Sequence, residues 1–258
     1  MNAKKTVIYT AVFGGDNCDC LLSHFPGFDF ICFTDKKKIS TKWKIKLVKP
    51  NLSPEILNRK YKILAHRYLK NYENSMYVDA NIRILKNPKN LIHNVIKNSN
   101  FAVSKHFLRE CLYDETLAVL KSSRFNNGLI FRQILNYAVK GMPQNYGLSE
   151  NSIIIRKHNK SNIKKFMERW WYEITRKSHR DQISLPFLLW KYKFQVLMLN
   201  ENKRQGNYFS FKEKKISKDL FSYIKGICWI ILFYLIIKII LKFKIKKIYD
   251  NWMYNYFI

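Results

Sequence analysis

Acidic residues are scarce in this chain of 258 residues: 18 Asp and Glu stand against 47 Lys and Arg, a formal charge of +29. Such an excess attracts polyanions, whether nucleic acid, anionic lipid or a phosphorylated substrate. It does not choose among them, because Lys is spread along nearly the whole chain beside abundant Ile, Asn, Phe and Tyr. No aromatic-basic repeat or nucleic-acid motif accompanies the charge, so no specific nucleic-acid partner is expected. Cysteine is thin as well. Cys18, Cys20, Cys32, Cys111 and Cys228 are an odd set without the spacing of a disulfide framework or a zinc site, which fits a reducing compartment. Cys18-Asp19-Cys20 has no second Cys or His pair nearby to complete a metal site. Among the few glycines there is no GxGxxG and no Walker pattern, so neither a dinucleotide site nor a P-loop is indicated. The apolar run Val7 to Phe13 behind Lys4 and Lys5 is too short for a signal peptide and reads as a first strand.

What is present suits one substantial domain: 47% hydrophobic and 16% aromatic residues are globular rather than disordered. Its organising stretch is Met76-Tyr77-Val78-Asp79-Ala80-Asn81-Ile82-Arg83-Ile84, a buried strand that ends at a polar edge. In extended chain, residues i and i+2 point the same way, so Asp79 and Asn81 can present a carboxylate and an amide oxygen to one point. Mg²⁺ and Mn²⁺ take such oxygen ligands and keep positions open for substrate phosphates. The alternative is a strand-end turn in which Asp and Asn bond their own backbone.

Val7 to Val12, Asp29 to Asp35 and Trp43 to Val48 read as further strands, the first followed by the turn Phe13-Gly14-Gly15-Asp16-Asn17. Glycine there lets backbone N-H groups approach a ligand. Ser53-Pro54-Glu55 starts a helix whose inward face is Leu57, Tyr61, Leu64 and Tyr68. Arg59, Lys62 and His66 form another stripe, able to neutralise a diphosphate near Asp79 or simply to be a solvated basic face. Phe101 to Ser104 is a strand. After it His106 and Arg109 stand at i, i+3 in an ionisable segment running to Glu115. Phe131 to Val139 reads as a helix, Ile153 to Ile155 as a strand after a turn at 147–152, and Phe194 to Leu199 as the last strand. Ser161 to Lys177 is an amphipathic helix in which Trp170 and Trp171 cannot share a face; one indole can form a flat wall for a sugar or base, or both can be core. Asp181, flanked by Arg180 and Gln182, opens the following helix at its positive end.

Past Phe211 the composition changes. Gly226 to Ile237 carries no charge, and Lys238, Lys242 and Lys246 recur every fourth residue beside Trp229, Tyr234, Tyr249, Trp252 and Tyr254. Residues 221–258 therefore read as a membrane-associating tail, either a short span or an in-plane helix, behind a basic linker at 206–220.

Taken in order, Tyr9 to Gly14, Phe30 to Asp35, Tyr77 to Ile82, His106 to Glu115, and Trp170 to Glu173 with Arg180 to Ser184 resemble the TOD/MUCI-type glycosyltransferase-like domain of plant Golgi proteins and bacterial surface-polysaccharide loci. The resemblance covers roughly residues 5 to 200 and places the domain at 1–205. It implies a GT-A-like α/β fold, a Rossmann-like mixed central sheet flanked by helices. It also implies a nucleotide-sugar donor, in the first instance a UDP-sugar, and Mn²⁺ or Mg²⁺ at an acidic motif, here Asp79-Ala80-Asn81 rather than a pair of acids. With it come expected roles: Thr10, Ala11, Phe13, Gly14 and Asp35 against the nucleotide; Arg59, Lys62, His66, His106 and Arg109 against the diphosphate; Asp79 and Asn81 on the metal. Trp170, Trp171, Arg180 and Gln182 would face sugar or acceptor, with Asp181, then Glu173, as the carboxylate that takes the acceptor's proton. A glycan or lipid-linked acceptor at the cytoplasmic face of a membrane completes the expectation. The competing readings are a membrane-anchored basic protein that grips nucleic acid or anionic lipid without chemistry, and a nucleotidyl- or phosphotransferase using the same metal edge.

Overall fold

A computed structural model describes residues 6–15, 18–122, 127–202, 204, 206–211 and 220–243. The strands among them are β1 (Thr6–Val12), β2 (Asp29–Thr34), β3 (Lys44–Leu47), β4 (Asn74–Val78), β5 (Ile82–Ile84), β6 (Phe101–Lys105), β7 (Ser149–Arg156), β8 (Leu197–Leu199) and β9 (Phe209–Phe211). The helices are α1 (Pro54–Ile63), α2 (Ala65–Tyr68), α3 (Lys89–Asn98), α4 (Leu112–Ser122), α5 (Asn127–Val139), α6 (Ser161–Arg176), α7 (Asp181–Lys191) and α8 (Leu220–Phe243). Seven strands form one sheet in the order β3-β2-β1-β4-β7-β6-β8. β7 alone runs antiparallel to the rest, between β4 and β6. This is the mixed, helix-flanked α/β sheet that the sequence implied.

β1 lies inside the sheet, between β2 and β4, and is buried along its whole length, as a strand covered on both faces must be. On one face its odd-numbered residues Val7, Tyr9 and Ala11 meet α1 and the α4–α8 layer. On the other, Ile8 and Val12 meet α3 and the pair β5-β9. Tyr61 of α1 stacks on Phe13 and Phe33 with ring centroids 5.6 and 4.6 Å apart, which fixes the helix over the ends of β1 and β2. Beneath it Arg156, buried at the end of β7, donates to the Lys62 carbonyl at the last turn of α1, where a cation complements the helix dipole.

Several elements depart from expectation. β7 begins at Ser149, not Ile153, because Ser149, Glu150, Asn151 and Ser152 are polar yet buried. His106 and Arg109 lie in a loop, and the helix starts only at Leu112. Phe209–Phe211 pairs with β5 and so closes onto the domain rather than forming linker. No helix among the described residues is long and apolar enough to cross a membrane. α8 instead packs on α5, with Phe131 5.4 Å from Trp229 and 6.3 Å from Phe233, while residues 244–258 of the expected tail lie outside the described residues.

Candidate active site

β1 and β4 end at one edge of the sheet, and there a cavity of about 330 Å³ opens. Ala11, Val12, Phe13 and Gly15 form one wall, Asn58 and Arg59 of α1 a second, and Tyr77, Asp79, Ala80 and Asn81 the third. The first wall is locked in place. Gly14 has φ +70°, and a Cβ there would stand 2.5 Å from Cβ of Pro54, so the loop can lie on the start of α1 only as glycine. One turn into α1, the Asn58 amide accepts from the Phe13 N-H and donates to the Phe13 carbonyl, both at 3.2 Å. The third wall is held from both sides, with the Asp79 N-H donating to the Ser152 carbonyl (2.8 Å) and the Cys20 N-H to the Ala80 carbonyl (3.0 Å).

Beneath the cavity lies a buried charge relay. Lys62, with its side chain 2% exposed, places Nζ 2.7 Å from Oδ2 of Asp181 and 3.2 Å from Oδ1 of Asp79. Arg59 Nη2 stands 3.6 Å from Oδ1 of Asp181, and Arg59 Nε donates to the His179 carbonyl at 3.4 Å. Burial raises the Asp181 carboxyl, but Arg59, Lys62 and Arg180 more than offset this and hold it well below the usual carboxylate range. A carboxylate held so acidic is a poor proton acceptor near neutral pH. Its position, 2.7 Å from Lys62 Nζ and 3.6 Å from Arg59 Nη2, suits it to hold both cations in register under the cavity. Burial, then the Asp79 charge, pushes the Tyr77 phenol well up, so it stays a neutral hydrogen-bonding group beside Asp79.

A second cluster gathers on Glu115 in the first turn of α4. Its buried carboxylate accepts from Arg109 Nε (2.9 Å) and Arg180 Nη2 (3.4 Å), with His106 Nε2 at 3.6 Å. Arg180 also donates to Gln182 Oε1 at 2.6 Å. Arg180 immediately precedes Asp181, so Glu115 ties the 106–110 loop and α4 to the entry of α7.

The structure thus brings Ala11, Phe13, Arg59, Asp79 and Asn81 to one cavity and seats Lys62 and Asp181 under it. Gly14 shapes the wall without lining it. Thr10 is fully buried in β1, and Asp35 follows β2 without lining the cavity. His106 and Arg109 are drawn to Glu115. His66 is turned to Glu168 of α6 at 2.7 Å, away from the cavity, because α1 ends at Ile63 and breaks the stripe that joined it to Arg59 and Lys62. Trp170 is sealed in the core with Nε1 on Ser184 Oγ at 3.0 Å, and Trp171 packs half-buried against the same core; neither makes an open wall at the cavity. Glu173 accepts from the buried Tyr137 hydroxyl at 2.6 Å and does not line the cavity. Asn58, Tyr77 and Glu115 emerge only from the structure. Asn58 sat beside the basic stripe and Tyr77 inside the organising stretch, and Glu115 was one of three acids, with Glu110 and Asp114, in the segment after His106.

Among the described residues no three His, Cys, Asp or Glu side chains gather to hold a metal ion. One Asp79 oxygen and the Asn81 amide are a donor set that fits Mg²⁺ or Mn²⁺ only where water and substrate phosphate supply the remaining ligands.

A mixed α/β sheet of this order, with its cavity at the strand ends, is the build of a glycosyltransferase-like domain. The chain belongs to the family TOD1/MUCI70, glycosyltransferase-like domain, whose model matches residues 3–215. It is 28% identical over 134 residues to the probable hexosyltransferase MUCI70 of Arabidopsis thaliana, a match covering 48% of this chain and 23% of that relative. Among solved structures it is similar to the apo form of the bifunctional glycosyltransferase WbbM, at 10% identity and TM-score 0.46, over 88% of this chain and 44% of that one.

Proposed function

We propose that the protein transfers a sugar from a nucleotide-sugar donor, in the first instance a UDP-sugar, to a cell-surface glycan or lipid-linked acceptor. The observation that carries this reading is the cavity at the ends of β1 and β4, walled by Arg59, Asp79 and Asn81. The family and the MUCI70 likeness support it. The glycine-bent loop at Ala11–Gly15 takes the nucleotide against backbone, and Arg59 offsets the negative charge that grows on the diphosphate as the glycosidic bond breaks. Asp79 and Asn81 would hold Mg²⁺ or Mn²⁺ arriving with the donor, and the bound cation would neutralise the leaving group. Lys62 keeps Asp79 aimed at the cavity, and Asp181 holds Lys62 and Arg59 in register.

Calorimetry with a panel of nucleotide sugars, with and without Mn²⁺, tests the reading. At least one donor binds, the affinity rises with Mn²⁺, and Asp79→Ala weakens it by about tenfold or more, as expected for a loss of 1.4 kcal/mol or greater. A panel with no binder in either condition would overturn it. Slow metal-stimulated release of nucleoside diphosphate without acceptor separates sugar transfer from nucleotidyl transfer, which releases pyrophosphate.

A further inference from the structure

Among the described residues α8 has two apolar faces, one of them packed on the domain and the other exposed. Phe233, Ile237 and Ile240 are buried against α4 and α5, with Trp229 packed beside them on Phe131. On the opposite side Ile231, Leu232, Tyr234, Leu235 and Ile239 are between 41% and 59% exposed. Positions 231, 234, 235, 238 and 239 follow one another at helical spacing, so they make one continuous stripe. Lys238 lies in it, with Nζ 5.7 Å from the Tyr234 ring, an arrangement that keeps the ammonium at the border of an apolar surface. Beside the stripe a cavity of about 480 Å³ opens along the α4–α8 contact, lined by Asp114 and Leu117 of α4 and by Phe233 and Lys238 of α8. A patch of this kind marks a surface that meets something apolar.

We propose that this face docks in the plane of an anionic lipid bilayer, with α8 lying along the headgroup boundary rather than crossing it. Two observations choose this occupant. The chain carries +29 net charge, and Lys242, Lys244, Lys246 and Lys247 follow the stripe in sequence, so anionic headgroups complement it while a second copy of the same chain is repelled. The inner face of α8 is fastened to α4 and α5, so a crossing would either strip it from the domain or carry those helices into hydrocarbon. α4 then connects the bilayer to the catalytic side: its flank lines the 480 Å³ cavity, and its Glu115 holds Arg180 next to Asp181. The inference does not depend on the sugar-transfer reading.

The test is co-sedimentation of the full chain with phosphatidylcholine vesicles, with and without phosphatidylglycerol, set against the variant Ile231→Glu/Leu235→Glu/Ile239→Glu. All three positions are exposed, so the thermal melt by circular dichroism stays near wild type and serves as the folding control. Binding to phosphatidylglycerol vesicles falls by at least about tenfold in the variant. A bimane label on the exposed Cys228 and, in a second protein, on Ile239→Cys is quenched by shallow spin-labelled lipids at both positions. Equal vesicle binding by wild type and variant would overturn the proposal, since charge alone would then suffice. So would labels at opposite depths, which mean a span, or a wild-type dimer in light scattering that the variant makes monomeric.

Discussion

Lys62 is the residue on which the site's electrostatics turn. It is a buried ammonium shared by Asp79 and Asp181, and removing it leaves the buried Asp181 with the more distant Arg59, at 3.6 Å, as its ion-pair partner. Lys62→Met is expected to cost about 3–5 kcal/mol by urea denaturation at pH 7. Asp181 has a folded pKa held below its unfolded value, so its contribution is fully present above an unfolded pKa of about 3.9 and is lost as pH falls through the lower, folded one. The gap between wild type and Lys62→Met therefore narrows as the pH is taken below about 4. His158 gives a second pH signature. Its Nε2-H donates to the Leu69 carbonyl at 2.9 Å, while Nδ1 is buried with no partner among the described residues, so protonation would create a donor with nowhere to point. Burial, offset only in part by the Leu69 bond, lowers its pKa to about 4. In the unfolded chain the same ring takes its proton near pH 6.5, so stability is lost between about pH 6.5 and 4 as pH falls, by about 3 kcal/mol in all. His158→Gln, which keeps one donor for Leu69, flattens that part of the stability profile.

At the scale of elements, the loop after β1 and the start of α1 act as one unit. Ser53 caps the helix by accepting from the Ile56 N-H, Pro54 fills its first position, and Gly14 presses on Pro54 with φ +70°. Gly14→Ala meets both the left-handed backbone and the 2.5 Å contact. It is expected to destabilise by about 1–3 kcal/mol and to weaken donor binding more than a matched change at Gly15, which has open space around its Cα. This unit was legible in the sequence because cap, proline and glycine are local signals. The start of β7 was not. Its first four residues are polar, and they are held by β6 and by Asp79 just past β4, neighbours that no window of sequence contains. His66 stands off the stripe of Arg59 and Lys62 because α1 ends at Ile63 and Leu64 takes a non-helical conformation (φ −92°, ψ 39°).

For the whole molecule, the α/β class and the two strand ends that wall the cavity could be read in advance, because the strands ending in Asp79 and in the glycine turn carry both hydrophobic pattern and polar tip. The Glu115 cluster could not, since it joins three segments across 65 residues of chain from Glu115 to Arg180. Glu115→Gln is expected to lower kcat with little effect on donor affinity, because it loosens the entry of α7 while leaving the cavity walls in place. A fall in donor affinity equal to that of Asp79→Ala would place it in the donor site instead.

The reversed direction of β7 sets what can vary around the sheet's rim. On the β1 and β4 side the chain leaves the rim after strands whose positions are pinned at both ends. On the other side it arrives, through the segment 140–148, whose Gly147 N-H and Leu148 carbonyl lean on Glu110 and His106. Changes in length or composition of that incoming segment would reshape the ground next to Glu115 and Arg180 while sparing the cavity of Arg59 and Asp79. The rim can therefore be rebuilt in that single stretch without disturbing the opposite wall.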